Sequence, residues 1–285
     1  MAPVGLPEFD GVGRCLVMGI VNVTPDSFSD GGRFATPDDA VAAGLGMLDD
    51  GADLLDIGGE STRPGALPVA EADELARVLP VVECLAAAGA IVSVDTQRSA
   101  VARACVQAGA RIINDVSGGT ADPDMARTVA ELGVPYICMY STGPAASASA
   151  PVATDRQPIG QVVGGLRDRV AALLKAGIQR EQIIVDPGLG FAFAGAPNWE
   201  ILAQIDQLAA LGYPVLVGAS RKRFLADATG EPETNWASRD AATVAVTALA
   251  AAYGAWAVRV HSVRPNAVAA RVAAAWNPIT EGQVR

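Results

Sequence analysis

Histidine occurs once in the 285 residues, at position 261, and the four cysteines, Cys15, Cys84, Cys105 and Cys138, stand singly with no CxxC pair. Together they leave no zinc constellation of ordinary ligand spacing and no disulfide framework. Buried free thiols in a reducing cytoplasm are the reading they favour. There is no basic surplus either: 21 lysines and arginines face 31 acidic residues, a formal net charge of −10. That balance argues against nucleic acid or an anionic membrane as a partner, while leaving room for a local cationic cleft that takes a small anion. The N-terminus, MAPVGLPEFDGVGR, lacks the basic and apolar regions of a signal peptide. One uncharged run, 241–258, approaches the length of a membrane span. Its alanines, Thr243, Thr247 and Gly254 fit an interior helix followed by a buried strand better.

What is present is apolar content, 51% of residues, enough to exclude a disordered chain. Short β-branched runs alternate with longer alanine-rich stretches of helical period. Strands are expected at Leu16–Val21, Asp53–Ile57, Ile91–Val94, Arg111–Asn114, Tyr136–Met139, Ile183–Val185, Val215–Val217 and Ala257–Val260. Helices are expected near 37–50, 70–87, 98–108, 123–132, 160–176, 197–210, 237–252 and 264–275. Thr36-Pro37 and Asp122-Pro123 read as caps with proline in the first turn. Eight strand–helix repeats in a chain of this length predict a single α/β domain over 1–285, a (β/α)8 TIM barrel. An open doubly wound sheet is the runner-up, and the first strand is not followed by the GxGxxG it would use for a dinucleotide. Residues 1–13 read as a flexible N-terminal extension and 141–158 as a mobile loop after the fifth strand.

In such a barrel the reactive groups gather at the C-terminal ends of the strands. Polar residues fall there with regularity: Asn22, Glu60 to Arg63, Asp95, Asn114-Asp115, Asp186, Ser220 to Lys222, Arg259 and His261. One polar residue at a strand end solvates a barrel mouth; six or more of mixed character favour a ligand site.

The segments VMGIVNVTPDSFSDGGRF, DIGGESTRPGA, SVDTQ, INDVSGG, DPGLGF, VGASRKRF and RVHSV resemble, in order and spacing, the motifs of the dihydropteroate synthase family, from about Leu16 to about Trp276. The resemblance implies a pterin-binding barrel enzyme of folate biosynthesis. Such a transferase joins 6-hydroxymethyl-7,8-dihydropterin pyrophosphate to p-aminobenzoate, with magnesium, and releases pyrophosphate. It further implies the roles of the residues. Asn22 and Asp30 would hold Mg²⁺. Arg63, Arg259 and His261 would donate to the pyrophosphate, the arginines in bidentate fashion. Asp186, Asn114, Asp95, Lys222 and Met139 would hold the pterin, with Thr62 beside it. Phe28, Thr62, Pro64, Phe191, Ser220, Lys222 and Arg223 would line the p-aminobenzoate slot. The catalytic set would be Asp30, Arg63, Asp95, Lys222, Arg259 and His261. A cytoplasmic homodimer that sulfonamides inhibit is the accompanying expectation.

Plainer readings apply to some of these groups. Asp56 and Asp115 read as rim residues that hold backbone, Arg221 as a structural ion pair, and Trp199, Trp236, Trp256 and Trp276 as packing. The sequence also departs from the family pattern. Tyr140 stands where histidine is usual, Phe193 replaces a lysine, Pro197 a histidine and Ser262 an aspartate. Arg223 takes the place of a small hydroxyl residue. The departures lie at the pocket periphery and keep two alternatives open: a paralogue with a different arylamine acceptor, or a pterin-binding protein without turnover.

Overall fold

A computed structural model describes residues 5–24, 36–61, 69–142 and 157–276. Eight parallel strands lie in the order β6-β5-β4-β3-β2-β1-β8-β7. They are β1 (Leu16–Asn22), β2 (Leu54–Gly58), β3 (Val92–Asp95), β4 (Ile112–Asp115), β5 (Tyr136–Met139), β6 (Ile183–Asp186), β7 (Leu216–Val217) and β8 (Ala257–Val260). A parallel bridge between Val185 and Val215 joins the last two edges and closes the sheet into a barrel. Around it run α1 (Pro37–Asp49), α2 (Glu71–Ala87), α3 (Ser99–Gln107), α4 (Met125–Leu132), α5 (Pro158–Lys175), α6 (Pro197–Leu202), α7 (Ile205–Ala209), α8 (Phe224–Thr229), α9 (Trp236–Ala252) and α10 (Val263–Trp276). The expected barrel is therefore present. The run 241–258 divides between α9 and β8, and no described helix is long and apolar enough to cross a membrane.

Two apolar clusters follow from the period of two along each strand. Residues of one parity, among them Val17, Leu55, Ile57, Val94, Ile113 and Val185, face the helices. The other parity, Leu16, Met18, Leu54, Ile112, Ile137, Ile184, Leu216 and Ala257, fills the lower lumen. Continued upward, that second parity carries Asn22, Asp56, Gly58, Ser93, Asp95, Asn114, Met139, Asp186, Gly218, Arg259 and His261. A dry floor beneath a polar mouth is thus written into the strands.

Residues 5–13 of the expected N-terminal extension pack against the barrel, and residues 1–4 lie outside the described residues. Leu6 is fully buried and Phe9 nearly so, and both join the lumen cluster from below. Phe9 meets Trp256 edge-on at 6.5 Å between ring centroids. Arg111 donates to Glu8 and to the Gly5 carbonyl, which ties the segment to β4. Two charge-assisted bonds of 2.7 Å from Arg14 to Asp53 follow directly after it.

Local signals act largely as expected. Thr36 and Asp39 form a reciprocal capping box with Pro37 in the first turn of α1. The second expected cap differs: Asp122 accepts from Asp124 N at 2.9 Å and from Ser99 N at 2.7 Å, so it serves the start of α3 as well as the turn before α4. The helix expected over 197–210 breaks at Ala203–Gln204 into α6 and α7, and α8 was not expected.

Candidate active site

The rim begins with a row of register partners across four neighbouring strands: Asn22, Gly58, Asp95 and Asn114. Gly58 is the one member without a side chain. A Cβ there would lie 3.5 Å from Asp95 Cβ and 3.7 Å from Asn22 Oδ1. Gly218 has the same effect opposite, where a Cβ would lie 3.6 Å from Asp186 Oδ2. Both glycines therefore leave width for a flat molecule between polar groups.

Asp186, at the end of β6, is buried, and its Oδ1 accepts the Gly188 N–H at 2.7 Å. Gly188 adopts φ +68°, and a Cβ there would collide with the Tyr140 carbonyl, so only glycine fits this turn. The carboxylate is thereby held over the lumen. Burial raises the Asp186 carboxyl from its ordinary value, and Lys222 and the Gly188 N–H oppose the shift. Burial in turn pushes Lys222 down to about 8, against the pull of Asp186. Lys222 is aimed by the turn before it: Arg221 has φ 59°, the only positive value outside glycine among the described residues. Two bonds to Asp240, of 2.8 and 2.9 Å, hold Arg221 in that conformation. Its structural assignment stands. The ammonium of Lys222 lies 4.5 Å from the Phe191 ring centroid and donates to the Leu189 carbonyl.

Arg259 starts deep in the lumen, in register with Met18, and reaches upward. It donates Nε to Asp56 at 2.6 Å and Nη2 to Asp95 at 2.8 Å. Two of its three guanidinium nitrogens are thus engaged by carboxylates, Asp56 fully buried and Asp95 nearly so. Asp95 is lifted to about 7 by burial, with Asp56, Asp115 and Glu74 adding to the rise and Arg259 opposing it. Asp56, read from sequence as a backbone-holding residue, is instead fully buried in the lumen and bonded to two site side chains. Its signal was available: it shares the lumen parity of Gly58. Asp115 has the opposite parity and does hold backbone, accepting from Ser117 N, Gly119 N and Tyr136 Oη.

Ser220, expected to line the p-aminobenzoate slot, is buried and bonded to His261: its Oγ accepts the His261 backbone N–H at 3.1 Å and lies 2.9 Å from Nδ1. Arg223 is exposed and paired with Glu233, its Nη2 at 3.0 Å from Oε1. Trp276, expected to pack, is exposed at the end of α10. Cys84 is likewise exposed, whereas Cys15, Cys105 and Cys138 are buried free thiols. Glu60, at the rim by sequence, is bonded to Arg98, which also holds Glu74 and the Val69 carbonyl. Sequence reasoning missed Asn198. It is fully buried, accepts from Gly190 N and donates to the Phe193 and Gly195 carbonyls, and so braces the sixth loop. Phe28, Asp30, Thr62, Arg63 and Pro64 lie outside the described residues.

Of the departures from the family pattern, Tyr140 turns its ring against Gly165 of α5, with the Arg169 guanidinium 5.2 Å from the ring centroid. Phe193 packs on the outer apolar cluster. Neither supplies a reason for a changed acceptor.

A closed parallel barrel with carboxylates, amides and half-buried cations at the C-terminal ends of its strands has the arrangement of a barrel enzyme's active site. Comparison with known proteins names the class: the family described as pterin binding enzyme matches residues 18–261. A dihydropteroate synthase of Mycobacterium leprae is 48% identical over 266 residues, covering 91% of this chain and 93% of the relative. A solved structure of the Xanthomonas albilineans dihydropteroate synthase with 4-aminobenzoic acid matches with TM-score 0.84 and 45% identity, covering 92% of this chain and 93% of the other. The Yersinia pestis dihydropteroate synthase, solved as a sulfonamide drug complex, matches with TM-score 0.87 and 38% identity over 93% and 95% of the two chains. The chain belongs to the dihydropteroate synthase family, transferases of folate biosynthesis.

Proposed function

We propose that this chain condenses 6-hydroxymethyl-7,8-dihydropterin pyrophosphate with p-aminobenzoate to give 7,8-dihydropteroate and pyrophosphate. The observation that carries the reading is the convergence of Asp186, Asn114, Asp95 and Lys222 on one barrel mouth in a chain with both long loop motifs. In the reaction the methylene–oxygen bond breaks and its electron pair leaves with the pyrophosphate. The amine nitrogen then bonds to the methylene carbon and gives up a proton. Catalysis of this kind is electrostatic: anionic groups stabilise the pterin-centred cation and cationic donors the departing anion.

Each residue has a part in this reading. Asp186 accepts two ring N–H groups, Asn114 and Lys222 bond the neighbouring ring atoms, and Met139 supplies an apolar face. Asp95 lies where positive charge develops. His261 and Arg63 donate to the pyrophosphate, and Arg259, held by two carboxylates, contributes its charge from below. The arylamine lies between Phe28, Pro64 and Phe191, beside Thr62 and the aliphatic stem of Lys222. Asn22, half-buried at the end of β1, offers the hard amide oxygen that suits Mg²⁺, with Asp30 as the second ligand. Bound there, the metal would supply positive charge to the leaving group.

Free thiols suit a cytoplasmic enzyme. Leu249 on α9, Tyr253 at its C-cap, and Val268, Val272 and Trp276 on α10 are exposed on two contacting helices. They support a homodimer through this face, which light scattering tests. A pocket that takes p-aminobenzoate would also take a sulfonamide. The decisive assay mixes protein, both substrates and Mg²⁺ and measures dihydropteroate and pyrophosphate in equal amounts. Absence of product at high enzyme concentration, with pterin still bound, would identify a binding protein instead.

A further inference from the structure

The lumen holds a carboxylate to which the substrate assignment gives no part. Asp56 sits on β2, fully buried, in the register row beneath Gly58, Asp95 and Asn114. Its Oδ2 accepts Asn114 Nδ2 at 2.9 Å and Arg259 Nε at 2.6 Å. Its Oδ1 is buried with no hydrogen-bond partner among the described residues, and so is Oγ of Ser93, its register partner on β3.

Two donors on one oxygen of a buried anion make an orienting group. An amide beside a carboxylate turns its N–H toward it, because its carbonyl oxygen would meet like charge there. With Nδ2 given to Asp56, Asn114 Oδ1 is the end of the amide left to accept. The same Asp56 oxygen holds the guanidinium of Arg259 at Nε while Asp95 takes Nη2 at 2.8 Å. We propose that Asp56 is a positioning residue, which sets Asn114 as a hydrogen-bond acceptor for a ring N–H and holds Arg259 upright beside Asp95. The inference rests on the reading of the lumen as the pterin site. It adds a rule of recognition: the ring atom that meets Asn114 Oδ1 carries a hydrogen, not a lone pair.

Calorimetry with 6-hydroxymethyl-7,8-dihydropterin, lacking pyrophosphate, tests this on the full chain. Asp56→Ala weakens binding by about tenfold or more, since Asn114 loses its orientation. Combined with Asn114→Ala it adds little, because the acceptor it orients is already gone. Asp56→Asn restores binding to within about threefold: its amide oxygen accepts both bonds, and its nitrogen takes the place of the unpartnered Oδ1. Asp56→Ser, too short to reach both partners, repeats the loss seen with alanine and serves should the alanine variant fail to fold. Additive losses for Asp56 and Asn114, or a loss in Asp56→Asn as large as in the truncated variants, would overturn the inference. Asp186→Asn separates the underlying reading. If it binds the pterin like the parent, the site assignment fails. If it abolishes binding while the truncated Asp56 variants bind normally, only the role of Asp56 fails.

Discussion

Lys222 and His261 show how single residues in this barrel are tuned by what lies beneath them. Burial brings Lys222 to about 8. Below that pH its ammonium donates and carries charge; above it the amine is neutral. Affinity for the bare pterin is therefore expected to fall as pH rises through about 8, and Lys222→Arg moves the decline to higher pH, because a guanidinium stays protonated. A Kd that does not weaken as pH rises past about 8 would show that Lys222 does not meet the ligand as a cation. His261 is fixed by Ser220. The backbone N–H of His261 donates to Oγ, which also lies 2.9 Å from Nδ1; a hydroxyl that donates to Nδ1 leaves the ring hydrogen on Nε2. Ser220→Ala releases that tautomer. Turnover is expected to drop by about tenfold while binding of the bare pterin holds, since only the pyrophosphate end uses His261. Equal damage to both would place Ser220 in general packing.

At the scale of elements, β5 and α5 are matched across one glycine. Tyr140 follows β5 and lays its ring on Gly165, where a Cβ would collide with the ring. Gly165→Ala is expected to destabilise the protein by about 1–3 kcal/mol despite the better helix propensity of alanine. Adding Tyr140→Ala returns part of that loss, which thermal or urea unfolding of the four variants would measure. Additive effects would mean that the two residues do not share the space. The pair also explains why Tyr140 could not be interpreted from sequence. Its departure from the family pattern is visible in the chain, but its ring lies on Gly165, a residue of the following helix more than twenty positions away. Strand positions were legible because a parallel strand buried on both faces is a short, continuous apolar run. The break between α6 and α7 and the short α8 were not, because helices of five or six residues carry too few turns for a periodic signal.

Across the whole molecule the barrel is sealed at one end and reactive at the other. Leu6, fully buried, plugs the floor together with Phe9 and Trp256. Leu6→Ala is expected to cost about 2–5 kcal/mol, the range for a buried leucine that leaves a cavity. Unfolding by denaturant reads this directly, and a change within a few tenths of a kcal/mol would show the plug to be dispensable. The positions of Asn22, Asp95, Asn114, Asp186, Lys222, Arg259 and His261 at the ends of the strands or just beyond them were legible from the sequence. Ser220 holds His261, and Arg223 pairs with Glu233 at the surface, which only the folded seventh loop decides.

The amino-acid order by itself determined the eight repeats, the lumen parity that gathers carboxylates and amides at the strand ends, and the family. Apolar periodicity and side-chain alternation are local properties of a chain. Which donors meet which acceptors was decided only by closure of the barrel. Closure brings Arg259 against Asp56, 203 residues away, and Asn114 onto the same oxygen. Hydrogen bonds act over about 3 Å, and no distance along the sequence encodes that approach.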